Sequence, residues 1–314
     1  MSTNSILVLE QCLNGLQFGL MLFLLAAGLT LVFGIMNFVN LAHGSLYMMG
    51  AYFAAWAYNN APFGIQNSFI LAAIIGVVGS MVLGVLIERL VLFSLYDRDH
   101  LDQVLATFGL ILIFNEVARF IWGPSSYYME VPEQLSGVIN LFGISYPSYR
   151  FMIIAVGLTV ALFTYLLIQK TRIGMLIRAG ASNATMVGAL GVNIKLLNTL
   201  LFGLGAGLAG VAGLMAGPIL SVQPGMGEPI LIVTLVVIVT GGIGSIRGAF
   251  YAALIVGVID TIGRVFLPLL LGLMLKDKSL AQAAGPAIAS MLIYLLMAGV
   301  LAFKPQGLFP VKHG

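Results

Sequence analysis

The chain has 314 residues, of which 60% are hydrophobic and only 8% are charged, with a formal net charge of +3. A soluble domain carries about a quarter charged residues, so this composition excludes a soluble globular protein and indicates an integral membrane protein. The basic residues form no dense patch that would bind nucleic acid. Cys12 is the only cysteine, which excludes intrachain disulfides and thiolate metal sites.

Nine apolar segments have the composition of membrane-spanning helices, for which about 20 residues cross a bilayer. They cover residues 12–33, 45–58, 68–93, 104–122, 151–168, 197–220, 229–246, 249–272 and 286–303. Residues 1–11 contain no Lys or Arg, which argues against a cleaved signal peptide. The runs are continuous, whereas strands of a membrane β-barrel would alternate in segments of about ten residues. We predict an all-α polytopic protein with about eight to ten transmembrane helices in a single domain over residues 1–314.

A polar stretch separates the first two segments and contains Asn37, Asn40, His43 and Gly44. The following segment, 45–58, is too short to cross a bilayer, so it either borrows residues 38–43 or belongs to a broken helix. Polar side chains inside a span usually face a cavity or a partner. Two roles remain open: a structural network that locks a helix break, or the lining of a transport pathway. His43 has no second His or Cys at coordinating spacing, so no metal site is predicted.

Two loops determine the predicted orientation, because Lys and Arg are enriched in cytoplasmic loops. Loop 170–196 carries four basic residues and no Asp or Glu. Loop 123–150 carries Glu130 and Glu133, with no Lys or Arg before Arg150. The first loop is therefore predicted to be cytoplasmic and the second periplasmic, with the N-terminus outside and the C-terminus inside. Lys276 and Lys278 would lie outside as an exception to the rule.

Loop 170–196 is longer than a simple connection requires. Residues 185–190 are small and apolar enough to form a short helix pressed against another surface. A soluble partner protein is one candidate for that surface, and anionic lipid headgroups are the other.

Glycines recur every three or four residues in segment 197–220, at Gly203, Gly207, Gly210, Gly213 and Gly217. This spacing places them on one helix face, where they allow a neighbouring helix to approach closely. Tight packing is the predicted role, and a face that slides during transport is the alternative.

A second irregular site lies at residues 240–248, where Gly241, Gly242 and Gly244 interrupt the helical pattern. A P-loop would need a Gly-Lys pair, which occurs nowhere in the chain, so nucleotide binding by this chain is excluded. We predict a tight turn between two spans, which like the first break is a candidate border of a pathway.

Two spans contain oppositely charged residues at helical spacing: Glu116 with Arg119, and Asp260 with Arg264. A neighbouring arginine lowers the cost of a carboxylate at membrane depth and tends to keep it ionised. Structural ion pairs are therefore predicted, with a proton relay as the alternative. The chain has no nucleophile or metal motif of an enzyme.

Four motifs occur in order along nearly the whole chain: residues 28–34 leading into 40–44, Gly174 with Arg178-Ala179 and 190–193, 241–245 with Gly248, and 305–309. Together they resemble the inner-membrane permeases of bacterial ABC importers of the branched-chain amino acid type. Two positions depart from the commonest pattern of that family. Ser45 stands where a Glu often follows the Ala-His-Gly run, and Arg247 replaces the more usual Pro.

The resemblance implies a non-catalytic subunit that forms half of a translocation pathway in the bacterial inner membrane. A second, related permease subunit would form the other half, two cytoplasmic ATPase subunits would bind the ATP, and a periplasmic binding protein would deliver substrate. The chain itself would need no cofactor. Loop 170–196 would dock onto an ATPase through these coupling residues: Arg172, Gly174, Arg178, Ala179, Met186 and Gly191.

Branched-chain amino acids are the substrate that the resemblance implies, although similar permeases carry other amino acids, amides, urea or aromatic acids. The alternative function is a secondary transporter or channel driven by an ion gradient. A protein of that class would be expected to carry an unpaired carboxylate at mid-membrane.

Overall fold

Long helices dominate the fold, because a backbone surrounded by lipid must satisfy its hydrogen bonds internally. The computed structural model describes residues 3–36, 38, 40–60, 67–96, 98–141, 143–274 and 278–310. Within those ranges lie ten α-helices: α1 Thr3–Met36, α2 His43–Asn60, α3 Phe69–Leu90, α4 His100–Trp122, α5 Ser148–Lys170, α6 Arg172–Ala189, α7 Ile194–Leu220, α8 Gly227–Gly241, α9 Ile246–Met274 and α10 Lys278–Phe303. The predicted all-α polytopic fold is confirmed.

Each of the nine predicted segments corresponds to a helix. Seven of the helices in the described ranges are long and apolar enough to cross a bilayer: α1, α3, α4, α5, α7, α9 and α10. The other two predicted segments form α2 and α8, which have 18 and 15 residues. The tenth helix, α6, lies in loop 170–196, where a short helix was predicted only for residues 185–190.

α6 and the C-terminal residues lie at the same end of the bundle. The Arg247 guanidinium at the start of α9 lies over the Tyr165 ring near the end of α5. The Phe309 N–H donates to the Gly241 carbonyl at the end of α8. The last turn of α1, at Gly34, packs on the same α8–α9 connection, so α1 begins at the opposite end. The relative placement of the N-terminus, α6 and the C-terminal residues agrees with the predicted topology. Which end of the bundle faces the cytoplasm stays a prediction. Lys276, one of the two predicted exceptions, lies outside the described residues.

α1, α2 and α7 form the buried centre of the bundle. The surrounding helices carry exposed leucine, isoleucine and phenylalanine side chains on their outer faces, as expected for surfaces that contact lipid or another subunit. Loop 123–150 contains an antiparallel hairpin that the sequence did not predict, with strands β1 Val138–Leu141 and β2 Ile144–Pro147.

The glycine stripe of α7 is a packing surface for α2 and α3. A Cβ on Gly210 would collide with Ser80 of α3, and a Cβ on Gly213 would collide with the Tyr47 carbonyl of α2. Gly207 differs, because the nearest atoms would lie 3.9 Å from its Cβ. The tight packing predicted for this face is therefore present at Gly210 and Gly213 but not at Gly207.

Candidate functional site

The described residues between α1 and α2, residues 38 and 40–42, are non-helical and mostly buried in the bundle. α2 starts at His43, whose imidazole contacts Gly28, about two turns before α1 ends. At 1.5 Å per residue, the chain returns about 12 Å into the bundle before α2 begins. Phe38 and Asn40 in this returning segment are buried. Segment 45–58 therefore belongs to a broken helix, which is one of the two structures that the sequence allowed for it.

The polar side chains at this break form no hydrogen bond of ordinary geometry with the described residues. Both amide atoms of Asn40 are buried without a partner, and the buried His43 imidazole has only the Leu25 backbone close enough to interact with it. An unpaired buried polar group costs about 1–3 kcal/mol, so the surrounding packing must hold this segment in place. Asn40 and His43 therefore form no side-chain hydrogen-bond network with each other, and the lining of a pathway by this segment stays a prediction. Asn37 lies outside the described residues.

A second polar site lies where α2, α4 and α8 meet. Gly44 at the start of α2 is in backbone contact with Gly227 at the start of α8. Asn115 of α4 donates from Nδ2 to Glu228 Oε1 over 2.5 Å. Asn115 Oδ1 in turn accepts a hydrogen bond from the Gly225 N–H over 3.1 Å. Two helix N-termini and one carboxylate therefore meet inside the bundle.

Glu228 is a partly buried carboxylate without a cationic partner: no Lys, Arg or His nitrogen of the described residues lies within 4.0 Å of it. A carboxylate in this setting can bind a primary ammonium group through charge-assisted hydrogen bonds. Sequence reasoning missed Glu228 because it considered only carboxylates with an arginine at helical spacing. A carboxylate in an apolar segment without an arginine at helical spacing was the sequence signal that could have identified Glu228.

α6 consists of two short helices joined at Asn183. Asn183 departs from helical geometry, with φ −156° and ψ 91°, and its side chain accepts a hydrogen bond from the Met186 N–H. That bond caps the second helix. Val187 faces inwards and is buried, whereas Met186 and Leu190 are 62% and 79% exposed. The second helix therefore presents an apolar pair at the end of the bundle.

The other residues predicted for this loop shape the corner between α5 and α6. Arg178 donates to the Ile168 carbonyl, and Gly174 packs so closely on the same carbonyl that a Cβ would not fit. Gly191 has φ +90°, a left-handed conformation that ends α6. The two remaining candidates lie at or near the surface: Arg172 and Ala179.

The glycine-rich segment between α8 and α9 is a tight turn. Gly242 and Gly244 have φ values of +107° and +81°, which side chains with a Cβ rarely adopt. Gly241 packs backbone to backbone against Gly248. These glycines therefore allow α8 to stop and α9 to begin within four residues.

The C-terminal residues complete this turn. The N–H groups of Leu308 and Phe309 donate to the Thr240 and Gly241 carbonyls, both over 2.9 Å. A helix leaves its last four carbonyls without intrahelical partners, so these two bonds satisfy half of them at the end of α8. The motif at residues 305–309 and the glycine motif are thus one structural unit.

Comparison with known proteins assigns the chain to a family. A family model described as branched-chain amino acid transport system / permease component matches residues 11–301. The chain belongs to this family. It is 28% identical over 310 residues to the high-affinity branched-chain amino acid transport system permease protein BraD of Pseudomonas aeruginosa, covering 96% of this chain and 95% of BraD.

The permease is also similar to the LivH proteins of Escherichia coli K12 and Salmonella typhimurium, with 29% identity over 278 residues, 85% of this chain and 89% of each relative. A solved structure of an inward-facing ABC transporter assigned to the metal-chelate type superposes with a TM-score of 0.49 and 17% identity, covering 93% of this chain and 85% of the other. A likeness at that level carries no argument about this permease.

The two ion pairs predicted from the sequence are present in α4 and α9. Arg264 Nε is 2.7 Å from Asp260 Oδ2, and Arg264 Nη2 donates to Ser290 Oγ of α10 over 3.0 Å. The Asp260 side chain is buried and that of Arg264 is about half exposed, so this pair links α9 to α10 at the edge of the bundle. Arg119 Nη1 is 2.7 Å from Glu116 Oε1, and both side chains are more than half exposed on α4.

A wholly buried carboxylate, Glu88, joins α3 to α7, and sequence reasoning did not single it out. Tyr96 Oη donates to Glu88 Oε1 over 2.6 Å, and Thr199 Oγ1 donates to Glu88 Oε2 over 2.9 Å. Arg89 Nε lies 3.6 Å from the same carboxylate. Burial, and secondly the bond to Glu88, raise the pKa of Tyr96, so its hydroxyl remains a donor at physiological pH. This network fixes the first turns of α7, directly after the α6 segment.

Proposed function

We propose that this permease forms half of the translocation pathway of an ABC importer for branched-chain amino acids in the bacterial inner membrane. The family match over residues 11–301 carries the proposal, because the relatives that cover most of the chain are named as permeases of such systems. In this proposal a second, related permease subunit forms the other half, and a periplasmic binding protein delivers the substrate.

ATP hydrolysis is assigned to two separate ATPase subunits, and this chain takes no catalytic part and binds no cofactor. α6 supports that division of labour. Met186 and Leu190 form an apolar surface beside basic residues, and loop 170–196 contains no carboxylate that would repel an acidic partner surface. An ATPase docking there would move α6, and Arg178 would pass the movement to α5 through the Ile168 carbonyl.

The pathway contact is assigned to Glu228 and Asn115. A branched-chain amino acid at neutral pH is a zwitterion with an apolar side chain. The Glu228 carboxylate suits its ammonium group, and the N-termini of α2 and α8 favour its carboxylate.

Replacing Met186 and Leu190 together with aspartate is expected to weaken ATPase association about 30-fold or more, because exposed apolar side chains at the centre of an interface each contribute about 1–2 kcal/mol. The dissociation constant of the detergent-solubilised permease for its ATPase measures this effect. Met274→Asp is the matched control, since Met274 is 82% exposed at the opposite end of the bundle. Equal affinity of the double variant and the wild type would show that α6 is not the docking surface.

Reconstitution decides between the proposal and gradient-driven transport, which the unpaired Glu228 favours among the alternatives. We expect radiolabelled leucine to enter proteoliposomes only when both permease subunits, the ATPases, the binding protein and ATP are present. Uptake by this chain alone, dependent on a proton or sodium gradient, would instead identify a secondary transporter.

A further inference from the structure

We propose that the groove between α5 and α9 binds an anionic phospholipid of the leaflet on the α6 side. α5 and α9 both pack on α1 and barely touch each other, which leaves a cavity of about 550 Å³ between them. Phe23 of α1 forms its floor and contacts Phe250 of α9 edge to face at 5.2 Å. Leu158 and Leu162 of α5 form one wall and are 47% and 58% exposed.

The depth of this groove suits a lipid acyl chain. Its α5 wall runs from Leu158 to Tyr165, which is about 10 Å at 1.5 Å per residue. Tyr165 lies five residues before the end of α5, so the groove occupies the hydrocarbon half of the leaflet on that side. The walls are leucine, isoleucine, alanine and aromatic side chains, and the polar groups are confined to the end near α6.

Arg247 supplies the charge at that end. Its guanidinium lies 5.3 Å from the Tyr165 ring centre, and its Nη2 donates to the Tyr165 hydroxyl over 3.5 Å. No carboxylate of the described residues pairs with Arg247. The sequence between Glu133 and Glu228, which includes α5, α6 and α7, contains no Asp or Glu at all.

An uncompensated guanidinium at the polar end of an apolar groove matches a phosphate above an acyl chain. A guanidinium binds phosphate through paired N–H donors, and basic pockets between transmembrane helices recognise anionic headgroups. The groove distinguishes this lipid from free phosphate, because only the lipid fills the apolar part. The occupant is therefore an anionic glycerophospholipid and not a soluble anion.

Native mass spectrometry of the full chain in detergent, titrated with phosphatidylglycerol or phosphatidylethanolamine, tests this proposal. We expect retained phosphatidylglycerol on the wild type, about fivefold weaker retention by Arg247→Gln, and similar loss by Leu162→Trp, which fills the groove but keeps the charge. Arg119→Gln and Leu112→Trp, on exposed positions of α4, are the matched controls and should bind like the wild type.

Three outcomes would overturn the lipid site: equal retention of phosphatidylethanolamine, equal loss in the control variants, or displacement by inorganic phosphate alone. A second copy of the chain seated in the groove would also overturn it, and would appear as a disulfide-linked dimer of Leu162→Cys in a Cys12→Ser background. The measurement uses the chain without ATPases or amino acid, so its result is independent of the proposed transport function.

Discussion

Gly213→Ala is expected to lower the thermal midpoint of the detergent-purified permease by several degrees, whereas Gly207→Ala is expected to leave it unchanged or raise it slightly. The added Cβ at position 213 would meet the Tyr47 carbonyl, and also the Ala51 N at 2.9 Å. Both are backbone atoms of α2, so no side-chain rotation can relieve the collision. The two helices must separate, at a cost of about 1–3 kcal/mol or more.

Gly207 provides the control because it lies on the same helix, in the same stripe, with open space around its Cβ. Alanine there should gain up to about 1 kcal/mol of helix propensity without a clash. Comparing Gly213→Ala with Gly207→Ala also distinguishes the two roles considered for the glycine stripe, which are tight packing and a face that slides during transport. If Gly213→Ala kept the wild-type midpoint and lost uptake, the stripe would be a moving surface and the packing interpretation would be wrong. Both variants must be heated at the same rate, because membrane-protein unfolding is often irreversible.

The sequence revealed the helices because membrane burial leaves a long and continuous signal. Each of the nine predicted segments became a helix, since about 20 apolar residues have few other stable structures in lipid. Breaks were also visible at Gly44 and Gly242, where local residue types oppose helix continuation. A short helix was predicted at residues 185–190, in the second half of α6, because this part of the basic loop consists of small and apolar residues.

The candidate site was less visible because it depends on contacts between distant parts of the chain. Asn115 and Glu228 are 113 residues apart, and neither stands out within its own segment. Glu88 is similar: its partner Thr199 lies 111 residues away on α7, so the complete burial of Glu88 could not be inferred from the local sequence. His43 differs, because its polar stretch predicted either a locked helix break or the lining of a pathway, and nothing in the sequence indicated that the side chain is completely buried.

The Glu228 carboxylate accepts a hydrogen bond from Asn115 and has no cationic partner among the described residues. Glu228→Gln is expected to reduce ATP-driven leucine uptake about tenfold while leaving the thermal midpoint within a degree or two of the wild type. Glutamine has nearly the same shape and can still accept the hydrogen bond from Asn115 Nδ2, so the α4–α8 contact is retained. What it loses is the charge, and a charge-assisted hydrogen bond exceeds a neutral one by about 1 kcal/mol or more.

Glu116→Gln is the matched control for that measurement. Glu116 follows Asn115 on α4, but its carboxylate is paired with Arg119 and more than half exposed. Uptake should be measured together with ATP hydrolysis in the reconstituted importer, because a pathway defect lowers uptake while ATPase association is unchanged. If Glu228→Gln transported leucine like the wild type, the ammonium group would not pass this carboxylate. If Glu228→Gln and Glu116→Gln lost uptake equally, the loss would come from the net charge of this region. The contact between Glu228 and Asn115 would then have no specific role in transport.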